Sequence, residues 1–321
     1  MYSTTVDNKS QEVFEKFFKK INEAVKYSFI LLTMFLRCAT IRSKEKQRRI
    51  IMKITEKGLV RQGQDGAIFE NLLFRFEGNG QCFVYELEDL KPVAEFTLDK
   101  AETLVPHCNS VMFGKEYFKE DDEFPLLYAN IYNNYAEKEN EHCGECCVYR
   151  LYREEGIFKT TMVQVIKIGF TDDTLWRSEG VKDVRPWGNF VVDRENSRYY
   201  AFVMRDGDKT TRYFALRLPT LADGFEAVLT KEDIIEYFDT PYHNFLQGAT
   251  CHKGRIYEVE GFHERIRPAI RIIDLEKKEQ IFHADFYEAG FIHEPELIDF
   301  WGDKCIYGDN KGNIFELEFN N

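Results

Sequence analysis

Gln64-Asp65-Gly66-Ala67-Ile68-Phe69, the turn Glu70-Asn71, Leu72-Leu73-Phe74-Arg75-Phe76 and then Phe83-Val84-Tyr85-Glu86-Leu87 form a pattern that returns four more times before the chain ends. Each copy opens on polar residues that run into apolar ones. The later openings are Asn109-Ser110-Val111-Met112-Phe113, Gly188-Asn189-Phe190-Val191-Val192, Gln247-Gly248-Ala249-Thr250-Cys251 and Glu296-Leu297-Ile298-Asp299-Phe300. Turn-forming residues follow each opening: Gly114-Lys115, Asp193-Arg194-Glu195-Asn196, Lys253-Gly254 and Gly302-Asp303. These types tolerate tight reversals.

Second strands are read at Leu127–Tyr132, Tyr199–Val203, Arg255–Val259 and Lys304–Tyr307, and third strands at Val148–Leu151, Phe214–Leu218, Ile270–Asp274 and Ile314–Leu317. The third strands alternate apolar and polar side chains, the signature of a strand with one buried face. Fourth strands are expected at Val93–Leu98, Met162–Ile168, Glu226–Thr230 and Gln280–Ala284. The fifth copy runs out at Asn321 without one, and Ile51-Met52-Lys53-Ile54-Thr55 is placed to supply it. Closing a ring this way leaves no long exposed edge. The expected fold is all-β: a five-bladed β-propeller of four-stranded antiparallel blades over residues 51–321. Long insertions are expected in blades two and three. A two-sheet sandwich is the alternative, but it gives no reason for the recurring openings.

The 321 residues carry 43 Lys and Arg against 55 Asp and Glu, a net charge of −12. Residues 1–51 hold 11 of the basic and 5 of the acidic side chains, so the remainder is strongly acidic. An acidic ring cannot neutralise phosphates, which speaks against nucleic acid as a partner. Residues 1–50 read as a basic helical extension. Val13, Phe14, Phe17, Phe18, Ile21, Val25 and Phe29 fall at helical spacing over residues 10–36. Three readings stay open for it: a helix resting on a membrane surface or a partner, a marginal anchor through residues 10–41, or a segment outside the native protein, with translation starting at Met52. The apolar run Ser28–Leu36 is too short to span a bilayer. Eight cysteines without a disulfide framework suit reduced thiols and a cytoplasmic location.

Loops leading into the first strands and loops joining second to third strands share one face of a propeller. That face is expected to carry His107, Asn109, Trp187, Asn189, His243, Gln247, Glu294 and Glu296, rimmed by aromatic side chains. A polar mouth with aromatic walls suits a small molecule, a sugar or a short peptide. The same polar residues would equally line a water-filled channel with no ligand. His142-Cys143-Gly144-Glu145-Cys146-Cys147 contains one Cys-x-x-Cys pair. A second pair is missing, so no metal site is assigned, and the cysteines are read as unliganded thiols or small apolar side chains. No cofactor motif is found. Glu294, Glu296 and Asp65 could serve a glycosidase, yet blades two and three offer Asn109 and Asn189 at the matching openings.

Phe245-Leu246-Gln247-Gly248, followed by Gly254, Ile256-Tyr257-Glu258 and Gly261, resembles the Phe-x-Gln-Gly opening and Tyr-Glu-x-x-Gly strand of the five-bladed glutaminyl cyclases. Pro295-Glu296-Leu297 is similar to their Asn-Glu-Leu element. The likeness covers about 25 residues, and in that family the Gln-Gly opening stands in the first blade, whereas here it is in the fourth. The resemblance implies five blades. It also implies Gln247 and Glu258 as polar site residues, and cyclisation of an N-terminal glutamine as an enzymatic alternative to binding.

Overall fold

A computed structural model describes residues 38–42, 51–131, 144–180, 189–243, 245–262 and 265–320. The helix read over residues 10–36 therefore lies outside the described residues. Five sheets follow one another along the chain, antiparallel except for one added edge strand in blade two. Blade one is Gly66–Phe69, Leu72–Phe76, Gln81–Glu86 and Pro92–Thr97; blade two begins His107–Phe113, Leu127–Ile131, Glu145–Glu154 and Ile157–Ile168. Blade three is Phe190–Asp193, Arg198–Arg205, Thr210–Arg217 and Ile234–Pro241, and blade four is Leu246–His252, Arg255–Phe262, Ile266–Asp274 and Glu279–Asp285. Blade five is Pro295–Trp301, Lys304–Asp309 and Asn313–Asn320, completed by Ile51–Leu59. The first strands pack against one another around the centre, blade five against four and one, one against two, three against two and four. This is a five-bladed β-propeller, and a two-layer sandwich is excluded.

The closing strand is where the repeat demanded it. Ile51 pairs with Asn320, Ile54 with Leu317 and Leu59 with Asn313. Met52 and Ile54 are buried among Tyr257, Ile272, Phe282 and Leu317, on the blade four side. Lys53 faces outward and meets Glu318 at 3.0 Å. One strand was not foreseen. Cys38–Arg42 pairs antiparallel with the closing strand, Cys38 opposite Thr55 and Arg42 opposite Ile51, so blade five has five strands. The basic extension is thus not helical throughout.

A second correction concerns Glu226–Leu229, expected as the fourth strand of blade three. It joins blade two instead, parallel to Val165–Ile168, and Ile234–Pro241 is the true outer strand of blade three. Both segments alternate: Ala227 and Leu229 are buried while Glu226 and Val228 are exposed. Local alternation announces a strand but does not name the sheet it joins.

The core lies between the blades. Phe74, Phe113, Phe124 and Phe158 fill the boundary between blades one and two, with Phe74 within 5.1–6.0 Å of the other three ring centroids. Trp176 stacks on Phe214 at 5.5 Å in the boundary between blades two and three. Each such ring contributes about 1.5–3 kcal/mol through burial. Adjacent blades are therefore held by their faces, and the centre is left to polar residues.

Candidate functional site at the channel mouth

The innermost strands expose one backbone edge to the centre, and part of the polar opening of blades one, two and five is used to cap it. Asp299 Oδ2 accepts from the Ile68 amide at 2.7 Å, Asp65 Oδ2 from the Val111 amide at 2.8 Å, and the Ser110 hydroxyl donates to Phe190 O at 3.0 Å. Thr250 adds a hydroxyl bond to Asp299 Oδ1 at 3.0 Å. Each bond crosses a blade boundary. An unpaired buried amide is costly, and a strand edge must be covered. Asp65, Ser110, Thr250 and Asp299 thus serve the ring itself.

The rest follows from irregular register. Pairing of first with second strand shifts between His107 and Val111, between Leu246 and Ala249, and between Pro295 and Leu297. Asn109, Gln247 and Glu296 stand inside those shifts. Bulges re-aim side chains. Asn109 accepts from Asn130 Nδ2, while Asn130 Oδ1 takes the Ser110 amide at 3.1 Å, so this pair fills its own bulge. Gln247 Nε2 donates to Gly261 O at 3.0 Å and to Glu294 Oε1 at 2.7 Å, tying blade four to the loop leading into blade five. The Asn310 amide in turn donates to Glu294 O at 2.8 Å.

Asp65, Arg75 and Glu296 meet where blades one, four and five converge. All three are buried. Arg75 Nη2 donates to Gly63 O at 2.9 Å and Asp309 O at 2.8 Å. Its Nε and Nη1, with Asp65 Oδ1 and Glu296 Oε2, have no hydrogen-bond partner among the described residues. Gly248 makes the convergence feasible, since a Cβ there would stand 2.3 Å from Glu296 O and 3.0 Å from Asp65 Oδ1. Burial drives both carboxyl groups well above the usual carboxylate range, and Glu294 adds to this for Glu296; Arg75 opposes it in both cases. A neutral carboxyl can both donate and accept, so the cluster can address hydroxyl, carbonyl or amide groups.

Glu258 and His243 belong to a second buried polar group. Both are fully buried at the boundary of blades three and four. The Tyr213 hydroxyl donates to Glu258 Oε1 at 2.6 Å, and His243 Nδ1 lies 3.0 Å from Glu258 Oε2 and 3.2 Å from the Tyr213 hydroxyl. The His243 approach to Oε2 is out of line for a hydrogen bond and counts as a charge contact only when the ring is protonated. Beside them Arg271 grips Glu260 through Nε and Nη2, both at 3.0 Å. Burial works against ionisation of Glu260, but His283, whose Nε2 lies 3.4 Å away, and the two Arg271 bonds prevail and hold it at about 2.

His107 is half-buried, its imidazole lowered to about 4 by burial, and Asn189 keeps a buried Oδ1 without a partner among the described residues. Trp187, His142 and Cys143 lie outside the described residues. Cys146 and Cys147 are buried on opposite faces of the third strand of blade two, one against each neighbouring blade. Among the described residues no cluster of His, Cys, Asp and Glu is placed to hold a metal ion. None of the described helices is long and apolar enough to cross a membrane. A cleft of about 530 Å³ opens elsewhere, lined by Gly169, Phe170, Asp173, Thr230 and Lys231, which the sequence did not single out. Arg75, Tyr213 and Arg271 were also missed. A charge inside an apolar strand, as in Leu72-Leu73-Phe74-Arg75-Phe76, was the available signal for Arg75.

No protein-family model matches the sequence, and no curated protein matches it. Among solved structures the chain is similar to the glutaminyl cyclase of Myxococcus xanthus, at 11% identity over 82% of this chain and 95% of that one, with a TM-score of 0.42. It is also similar to the PQQ-bound aldose sugar dehydrogenase of Streptomyces coelicolor, at 12% identity over 84% of this chain and 98% of the other, with a TM-score of 0.47. The chain is a five-bladed β-propeller whose distant neighbours include enzymes.

Proposed function

We propose that the channel mouth binds a small, uncharged, polar ligand, of the size of a sugar or a short peptide end. The observation that carries this is the set of buried atoms without partners, Asp65 Oδ1, Glu296 Oε2 and Arg75 Nε and Nη1, beside the Gln247–Glu294 pair. Buried polar groups are nearly always hydrogen-bonded, and those that are not call for a water or a ligand group. The Arg75 guanidinium already places a buried positive charge beside the two carboxyls, which favours an uncharged ligand over a cation. Asp65 also caps the ring, so Gln247 and Glu296 are the side chains to test. Thermal shift of the full chain against neutral sugars, polyols and short peptides provides the assay, because binding to the native state raises the melting temperature. Replacing Gln247 by Ala or Glu296 by Gln is expected to weaken a hit by about tenfold, the loss of one buried hydrogen bond. A screen with no hit, or a hit insensitive to both changes, sinks the reading.

A catalytic reading has one carboxyl pair in its favour: Glu294 stands two residues from Glu296, whose ionisation burial opposes. That pairing suits acid catalysis on a glycosidic bond. Glutamine cyclisation is less well supported, because Glu258 is engaged by Tyr213 within the blade boundary. No turnover of alkyl glycosides by the full chain would remove the catalytic reading, and turnover indifferent to Glu296→Gln would remove Glu296 as its acid.

A further inference from the structure

The rim of blade four carries an aromatic pair that the polar cluster does not explain. Phe245 and Phe262 stack with centroids 4.8 Å apart and planes 16° from parallel. Phe245 remains 49% exposed, although a ring of that size is normally covered. It stands two residues before Gln247, and its carbonyl accepts the Gly261 amide at 3.1 Å. Gly261 O is also the acceptor for Gln247 Nε2. The aromatic pair and the Gln247–Glu294 pair thus share one backbone corner. Gly261 is packed against Pro295, which leads directly into Glu296: a Cβ at Gly261 would lie 2.8 Å from Pro295 Cδ. Phe245 further adopts a left-handed backbone, φ 51°, which a bulky side chain rarely does. Strain of this kind persists where the surroundings impose it, and it collects at ligand clamps.

We infer that Phe245, backed by Phe262, is a stacking platform for the apolar face of a pyranose ring whose hydroxyls reach Gln247, Glu294 and Glu296. This rests on the ligand-binding reading of the mouth and narrows its ligand to a cyclic sugar. A pyranose presents C–H groups on one face and hydroxyls around its edge. It matches an exposed ring flanked by an amide and carboxyls. A linear polyol has the same hydroxyls and no flat face, and a peptide end has neither.

The test compares methyl β-D-glucopyranoside and methyl β-D-galactopyranoside with sorbitol, by calorimetric titration of the full chain. At least one pyranoside is expected to bind more tightly than sorbitol. Phe245→Ala and Phe245→Leu should weaken that pyranoside by roughly 3- to 10-fold, the range of an aromatic contact, and leave sorbitol unchanged. Phe245→Trp should retain or strengthen it. Leucine preserves apolar bulk, so a folding defect in the alanine variant does not decide the matter. Equal affinity for pyranosides and sorbitol, or a pyranoside affinity indifferent to both Phe245 changes, overturns the platform. If sorbitol binding survives and falls in Glu296→Gln, the mouth still binds polar ligands and only the platform is lost. If nothing binds, both fall together.

Discussion

The Tyr213 hydroxyl and Glu258 Oε1 lie 2.6 Å apart across the boundary between blades three and four, and neither residue is open to solvent. A buried carboxylate with so short a contact is held by its donor. Tyr213→Phe should therefore cost about 1–3 kcal/mol, because the acceptor stays buried after the donor is gone. Denaturant unfolding of Tyr213→Phe, Glu258→Gln and the double variant gives the coupling. A coupling near zero would remove the hydrogen bond as the cause.

Asp299 accepts from the Ile68 amide, the Thr250 hydroxyl and the Phe300 amide. Asp299→Ala is expected to destabilise the ring by about 2–3 kcal/mol, the scale of hydrogen bonds to a charged acceptor. Amide hydrogen exchange should accelerate at Ile68 more than at Leu73, whose strand pairs on both sides in blade one. Unchanged exchange at Ile68 would mean that the edge is protected by something else.

Glu260 titrates near 2 in the fold against 4.5 ordinarily. A depressed folded value means that its contribution is present above about pH 4.5 and is lost as pH falls toward 2. The full span is worth about 3 kcal/mol. Glu260→Gln should flatten the acid limb of the stability curve in that window and leave a variant less stable than the parent at neutral pH. An acid limb of unaltered slope contradicts the assignment.

Glu296 has the opposite sign. Its folded value is raised by burial and by Glu294, so its contribution is present at low pH and lost as pH rises through the folded value. Glu296→Gln cannot ionise, and its melting temperature relative to the parent should be more favourable at pH 8 than at pH 5. A difference independent of pH would show that Glu296 does not titrate abnormally.

A chain starting at Val60 lacks the closing strand and leaves Asn313–Asn320 as an open edge beside cores built with Met52 and Ile54. It is expected not to fold, whereas a chain starting at Met52 keeps four strands in blade five and, among the described residues, loses the Cys38–Arg42 pairing and the Ile51–Asn320 pair. Circular dichroism and size-exclusion chromatography separate the two cases. A well-folded chain from Val60 would refute closure by this strand.

The number of blades, most strand positions and the closing strand were legible in the sequence because each depends on local signals, alternation every second residue and turn residues at the reversals, whereas the outer strand Ile234–Pro241 was not read as one. Met52 and Ile54 could be matched to an incomplete fifth blade for the same reason. The destination of Glu226–Leu229 and the added strand Cys38–Arg42 could not, since a strand's own pattern does not identify its neighbour. The openings illustrate the limit most clearly. Asp65, Ser110 and Asp299 look no different in sequence from Gln247 and Glu296. Yet Asp65 and Asp299 cap amides 46 and 231 residues away, and Glu296 keeps an oxygen without a partner among the described residues. Whether a polar side chain is satisfied depends on which group the neighbouring blade brings within 3 Å of it. That distance is set by the packing of whole sheets, so tertiary structure alone divides the polar openings into stitches and a candidate site.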